Sequence, residues 1–230
     1  MISIIIPVLN EVDNIEKSIN HLLSSVNLEN NHEIILVDGG SKDGTIEKLE
    51  PLLSKKIVLM HSAKGRATQM NFGAKQAKGN IFYFLHADSF PPKHFDSLIA
   101  NEISKGNLAG CFCMQFDSQH WWLRLASWLT QFNWRACRGG DQSLFITKDL
   151  FNDIGGYDES FKIFEDQIII KELYKRNQFK VINKKLISSA RRYKTNGVWR
   201  LQYHFWTIYV KRWFGASAED IYLYYKRYIK

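Results

Sequence analysis

The chain opens with Ile2-Ser3-Ile4-Ile5-Ile6-Pro7-Val8, an almost unbroken β-branched run. A strand apolar on both faces belongs in a parallel sheet. Ile15, Ile19, Leu22 and Leu23 then recur at helical spacing and predict a helix over about residues 12–25. Glu33 to Asp38 reads as a second strand, Thr45 to Leu53 as a helix and Lys56 to Met60 as a third strand. A helix at about 66–77 precedes a fourth strand, Asn80 through Phe-Tyr-Phe-Leu-His-Ala-Asp to Asp88. Strand alternating with helix predicts a parallel sheet with right-handed crossovers. Ligands in such sheets sit beyond the carboxyl ends of the strands.

After about residue 90 the rhythm changes. The pattern predicts a helix near 92–104, a strand from Leu108 to Phe116, an aromatic helix from Trp121 to Trp134 and a strand from Gln142 to Thr147. A helix follows from Glu165 to Arg176, then two strands near 179–182 and 186–190. No repeat, low-complexity segment or linker interrupts the chain. The organisation expected is one α/β domain over residues 1–198, with a basic and aromatic helical extension over 199–230.

Composition narrows the class. The chain has 230 residues, 45% of them hydrophobic, which is the profile of a globular protein with a substantial core. The formal net charge of +8 favours anionic partners. Three cysteines, Cys111, Cys113 and Cys137, make neither a disulfide framework nor a zinc site. The N-terminal apolar run is short for a signal peptide and lacks a basic leader, and no stretch is long enough to cross a bilayer. The expectation is a cytoplasmic protein, either free or peripheral at the inner face of the membrane.

Polar clusters fall at the end of each early strand: Asn10-Glu11, Asp38-Gly39-Gly40-Ser41-Lys42-Asp43-Gly44-Thr45, Lys64-Gly65-Arg66, and His86 with Asp88. Each alone is an ordinary turn or helix cap, but four in series at one sheet edge point to a ligand site. On the fourth strand, period-two geometry sends His86 and Asp88 to the same side.

These blocks resemble the nucleotide-binding half of the family 2 glycosyltransferases: SIIIPVLNE, VDGGSKDGT, KGRATQMNFGAKQAKG and FLHADS, in that order. RGGDQSLF, GGYDE, FEDQIIIKELYKR and SSARRYKTNG extend the likeness to roughly residue 200. They are especially close to a bacterial transferase 2 subgroup with His-Ala-Asp in place of Asp-x-Asp. The resemblance implies the GT-A fold, a mostly parallel central sheet flanked by helices. It also implies an inverting enzyme that moves a sugar from a nucleoside-diphosphate sugar to an acceptor hydroxyl, lipid-linked in some members.

Residue by residue, the resemblance puts Pro7, Leu9 and Glu11 at the base pocket and Asp38 on base or ribose. Arg66 stands near the diphosphate. Asp166 is the base that activates the acceptor, with Glu165 beside it, and Asp88 is the ligand of Mg²⁺ or Mn²⁺. Hard cations of this kind suit carboxylate and phosphate oxygens and stabilise charge on a departing phosphate. His86 departs from the family pattern, and two readings stand: a hydrogen bond to ribose or phosphate, or ligation of Mn²⁺. From the residues themselves, Asp141 and Gln142 after Gly139-Gly140 read either as a loop that binds sugar hydroxyls on the acceptor side or as a plain turn, and Arg191 and Arg192 either as guanidinium groups near phosphate or as a charged exit from the last strand.

Other classes stay open. Loss of catalysis with retained nucleotide-sugar binding would fit His86. A sugar-nucleotide pyrophosphorylase would need an N-terminal glycine-rich loop that SIIIPVLNE does not supply. Nucleic-acid binding fits the charge but finds no recognition motif. The aromatic C-terminal helices suit packing onto the domain or a second copy, or lying on an anionic membrane surface.

Overall fold

A computed structural model of the chain describes residues 1–27, 30–139 and 142–229. Among the described residues, eight strands form one sheet: β1 (Ile2–Val8), β2 (His32–Asp38), β3 (Ile57–His61), β4 (Ile81–Phe84), β5 (Ser89–Phe90), β6 (Ala109–Phe116), β7 (Leu144–Thr147) and β8 (Lys180–Ser188). Their order is β3-β2-β1-β4-β7-β6-β8-β5. Strands β3, β2, β1 and β4 are mutually parallel, and β8 is parallel to β6. β7 runs antiparallel to both β4 and β6. The carboxyl ends of β1, β2, β3, β4, β6 and β8 therefore share one edge, with the start of β7 among them.

The helices are α1 (Ile15–Ser25), α2 (Thr45–Leu49), α3 (Arg66–Gln76), α4 (Phe95–Ser104), α5 (Trp121–Leu129), α6 (Lys148–Asp153), α7 (Glu165–Lys175), α8 (Arg191–Asn196), α9 (Val198–Trp213) and α10 (Ala218–Tyr228). Alternating strand residues feed two apolar layers. Ile4, Ile6, Ile34 and Leu36 pack with Ile15, Ile19 and Phe95 of α1 and α4. Ile5, Ile35 and Val37 pack on the opposite face with Met70 of α3 and Ile169 and Leu173 of α7. This two-sided burial is what the unbroken apolar run of β1 demands. A third cluster joins Met114, Phe116 and Leu123 to Leu201, Ile208 and Ile221 of α9 and α10.

Several local readings change. The predicted helix over 45–53 is α2 followed by a 3₁₀ turn at Glu50–Leu52, because Pro51 has no N–H to continue an α-helix. The aromatic helix stops at Leu129, and Thr130 bonds back to its last turn through its hydroxyl and the Ser127 carbonyl. The two predicted strands near 179–190 are one strand. Phe112 pairs with Ile182 but Cys113 with Lys185, so Asn183 and Lys184 bulge out between them. A bulge bends the ladder where it sits.

At the start of β6, Gly110 lies so close to β8 that a Cβ there would stand 2.0 Å from the Lys180 carbonyl oxygen. That neighbour is backbone and cannot swing away. Gly110→Ala is expected to cost about 3 kcal/mol or more and to lower Tm by roughly 6–12 °C in thermal unfolding. An unchanged Tm would mean that β6 and β8 are not in this contact.

Candidate functional site

Four loops build the shared edge, and hydrogen bonds stitch the first two together. The Asn10 amide N–H donates to Ser41 Oγ at 2.9 Å, and Lys42 N–H donates to Asn10 Oδ1 at 2.9 Å. Glu11 N–H donates to Thr45 Oγ1 and Val12 N–H to Asp43 Oδ2. Asn10 holds φ at 53°, a left-handed value that Asn tolerates better than most residues. The strand ends are thus fixed by side chains that the sequence alone presents as turn residues.

Asp38 closes β2 and is buried. Its carboxylate accepts from the N–H groups of Gly40 (2.8 Å) and Ser41 (3.1 Å), and His61 lies at 3.4 Å. Burial alone raises a carboxyl, but the bonds from Ser41, Gly40 and His61 outweigh it and hold Asp38 below the usual carboxylate range. Gly40, at φ 93°, supplies the left-handed residue this tight loop needs. The expected Gly39-Gly40 pair is used differently at Gly39. Its bare face lies 3.0 Å, measured from a would-be Cβ, from the Gln69 side chain.

Gln69 is a residue the sequence reading passed over. It is buried, and its side-chain amide donates to the carbonyls of both Val8 (2.9 Å) and Val37 (2.7 Å), bridging the ends of β1 and β2. Its only sequence signal is a polar residue on the apolar face of α3, one turn after Arg66.

Pro7 sits inside β1 opposite Val37. Ile5 faces β4 through its carbonyl, which accepts from Leu85 N–H. Strand alternation turns the N–H-less nitrogen of Pro7 the same way. β4 ends at Phe84, opposite Ile5, so no ladder bond is lost. Pro7 and Leu9 are half-buried at this gap.

The predicted fourth strand stops four residues short of Asp88. Leu85 to Asp88 form a link closed by a turn, with Ser89 N–H donating to the His86 carbonyl at 3.1 Å. His86 and Asp88 are therefore not strand residues, although burial still alternates: Leu85, Ala87 and Ser89 are buried, and His86 and Asp88 half-exposed. Ser89 then pairs with Ser188 of β8. In a flat sheet β4 and β5 would lie about 19 Å apart, four strand spacings. A five-step link containing a tight turn spans only about 14 Å. The β6–β8 end must curl back toward the end of β4, and β6 leaves β7 after Gly110, just before the bulge, to do so.

This curl brings distant blocks together. Arg191 follows β8, and its Nη2 lies 3.1 and 3.2 Å from the two carboxylate oxygens of Glu11. A residue expected at the base pocket and one expected at phosphate, 180 positions apart, form one ion pair. Arg192, next to it, is exposed. On the other flank, Arg66 at the start of α3 places Nη1 3.3 Å from Glu165 Oε1 and 3.8 Å from Asp166 Oδ2. Both carboxylates lie in the first turn of α7, where the helix dipole favours negative charge. Glu165 is 1% exposed and Asp166 9%. Phe164, immediately before them, holds φ at 73°, a costly conformation for an aromatic residue that sites tend to accumulate.

Tyr157 completes this flank and was not singled out by sequence. It is buried against Phe84 with ring centroids 5.0 Å apart. Burial pushes its phenol well above the ordinary value, the Asp166 and Glu165 carboxylates add to this, and Arg66 opposes it. Neither the Tyr157 hydroxyl nor Glu165 Oε2 has a hydrogen-bond partner among the described residues.

The acceptor-side expectation fares differently. Asp141 lies outside the described residues. Gln142 is buried, with its amide turned inward to the Cys137 carbonyl and the Cys111 thiol. A groove of about 800 Å³ along α7, lined by residues including Gly156, Asp158, Phe161 and Lys171, contains none of the predicted site residues. No group of three or more His, Cys, Asp or Glu that could hold a metal ion occurs among the described residues.

Solved structures share this architecture. The S. aureus TarS fragment 1–349, determined with UDP-GlcNAc, superposes with a TM-score of 0.66 at 20% identity, covering 82% of this chain and 58% of that one. The mannosyltransferase PcManGT of Pyrobaculum calidifontis, determined with GDP-Man and Mn²⁺, superposes at 0.64 with 18% identity, covering 90% and 59%. The fold is GT-A, a central mostly parallel sheet flanked by helices. In sequence, a dolichol-phosphate mannosyltransferase of Pyrococcus furiosus is 34% identical over 102 residues, 43% of this chain and 29% of the relative. The match covers between 29% and 56% of the length of such curated relatives, this one at the lower end. The model of the glycosyl transferase family 2 matches residues 3–177, and the chain belongs to that family.

Proposed function

We propose that the strand-end edge transfers a sugar from a nucleoside-diphosphate sugar to an acceptor hydroxyl by one inverting displacement. The observation that carries this reading is the convergence at Arg66. A cation from the nucleotide-side block meets the α7 carboxylates at 3.3 and 3.8 Å, on the edge where β1, β2 and β4 end. Family membership supports transfer over the pyrophosphorylase and binding-only readings.

Asp166 takes the proton from the acceptor hydroxyl, whose oxygen forms the new bond to the anomeric carbon. The bond from that carbon to the diphosphate breaks on the opposite face, and its electron pair stays on the phosphate oxygen. Glu165 holds Arg66 beside Asp166, and Tyr157 walls the pair from below. Pro7, Leu9 and Glu11 flank the base, and Asp38 orients the loop that meets base or ribose. Arg191 exchanges its Glu11 contact for phosphate, with Arg192 adding charge.

A divalent cation fits the donor set in one way. With no preformed cluster of ligands among the described residues, Asp88 would hold Mg²⁺ or Mn²⁺ together with diphosphate oxygens and water, as these ions commonly bind. Such an ion supplies charge neutralisation for the departing diphosphate. The acceptor class favoured is the hydroxyl of a lipid-linked sugar, because one relative is named for transfer of a glucuronosyl group to dolichyl N-acetyl-α-D-glucosaminyl phosphate.

The test is a screen of UDP- and GDP-sugars with Mn²⁺ or Mg²⁺, following thermal stabilisation and release of nucleoside diphosphate. A donor that stabilises the protein and is turned over is the expected result. Stabilisation with no release under any acceptor would return the binding-only reading, and no stabilisation by any nucleotide would end both.

A further inference from the structure

Helix α9 is apolar on two opposite sides. Leu201 and Ile208 are buried in the cluster it shares with β6 and α5. On the other side, Trp199, Tyr203, Trp206, Val210 and Trp213 recur at alternating intervals of four and three, which is a single stripe on an α-helix. Every one of the five is exposed, Trp213 at 85% and the adjoining Phe214 at 84%. The outer stripe of a helix packed on a domain is ordinarily polar. Here it is aromatic.

Helix α5 repeats the pattern. Trp121, Leu125 and Trp128, at i, i+4 and i+7, are exposed while Leu123 is buried. The two stripes adjoin: Trp121 and Trp199 rings lie 5.7 Å apart, and the Trp122 indole N–H donates to Gln202 Oε1 at 3.0 Å. The result is a continuous aromatic face, larger than the scattered apolar residues of ordinary surfaces.

Charge identifies what covers it. From Leu173 to Ala218 the chain has eleven Lys and Arg and no Asp or Glu, more than the net +8 of the whole protein. Helix α5 has no acidic residue either. Arg124, Arg200 and Lys211 are exposed beside the stripes. A second copy meeting this face symmetrically would set like charges against each other. An anionic bilayer answers both features, since Trp and Tyr settle at the headgroup level and Lys and Arg reach lipid phosphates. No helix among the described residues is long and apolar enough to cross a membrane, so the contact is with the surface.

We infer that the α5–α9 aromatic face docks this protein on an anionic phospholipid surface. The exposed stripe is separate from the residues given roles in transfer, so docking and catalysis are tested independently. The full chain is sedimented with vesicles of phosphatidylcholine containing about 30 mol % phosphatidylglycerol and with pure phosphatidylcholine. The expected result is binding to the anionic vesicles, with a blue shift of Trp emission and weakening at about 0.5 M salt. The triple variant Trp199→Ser, Trp206→Ser, Trp213→Ser is expected to bind at least about tenfold more weakly. The double variant Arg124→Gln, Arg200→Gln keeps the aromatic face and is expected to lose the preference for anionic vesicles. Wild-type protein left in the supernatant with both vesicles overturns the inference. So does equal binding by wild type and both variants. A dimer in solution that the triple variant abolishes, without vesicle binding, assigns the face to a second copy.

Discussion

Asp166→Asn is expected to lower kcat by about 10²–10⁴-fold, the usual worth of a positioned general base. The substitution keeps shape and volume, and it leaves Glu165 as the buried partner of Arg66 at 3.3 Å. Folding and donor affinity should therefore change little, and the loss should appear in kcat at saturating donor. Glu165→Gln should show the reverse balance. It weakens an ion pair whose acid is 1% exposed, so it should lower Tm more than it lowers the chemical step. Measuring nucleoside diphosphate release beside thermal unfolding for both variants separates the two roles. Full turnover by folded Asp166→Asn would remove Asp166 as the base.

Asp88→Asn is expected to reduce turnover by about 10²–10³-fold and to abolish the part of nucleotide binding that depends on the cation. A nucleotide at a hundred times its Kd stabilises a protein by about 2.7 kcal/mol. In a chain of 230 residues that corresponds to roughly 5–10 °C in Tm. Wild-type protein should show that shift with Mn²⁺ and a smaller one with chelator. Asp88→Asn should show the smaller shift under both conditions. His86→Ala decides between the two readings of the His-Ala-Asp turn. If His86 contacts ribose or phosphate, affinity falls equally with and without Mn²⁺; if it ligates Mn²⁺, the metal dependence disappears. A wild-type metal response in Asp88→Asn would move the cation elsewhere.

The first half of the fold was legible because its signals are local and redundant. The β-branched runs of β1 and β2 announce strands buried on both faces, and the polar residues after each announce an edge. The HADS turn was misread for a related reason. Leu85-His86-Ala87-Asp88 keeps the alternation of a strand, and burial follows it, yet the ladder ends at Phe84. Periodicity reports which side chains are covered, not whether the backbone is paired. Strand β5 escaped notice because two residues carry no period. Gln69 and Tyr157 received no role because nothing in their linear neighbourhoods shows what either side chain meets. What gives them a role is the neighbour each meets in space.

By itself the amino-acid order determined the α/β class, the succession of strands and helices to β4, and the residue types gathered after β1, β2, β3 and β4. Each of these follows from interactions among residues a few positions apart, which a linear pattern records. Only the tertiary structure decided that Glu11 meets Arg191, that Arg66 meets Glu165 and Asp166, and that the aromatic stripe of α9 faces outward. The Glu11–Arg191 pairing goes with the curl of the sheet, in which the ladder between β6 and β8 is bulged. Contacts spanning a hundred or more positions are set by how layers pack, and packing selects among many arrangements that the same local pattern allows.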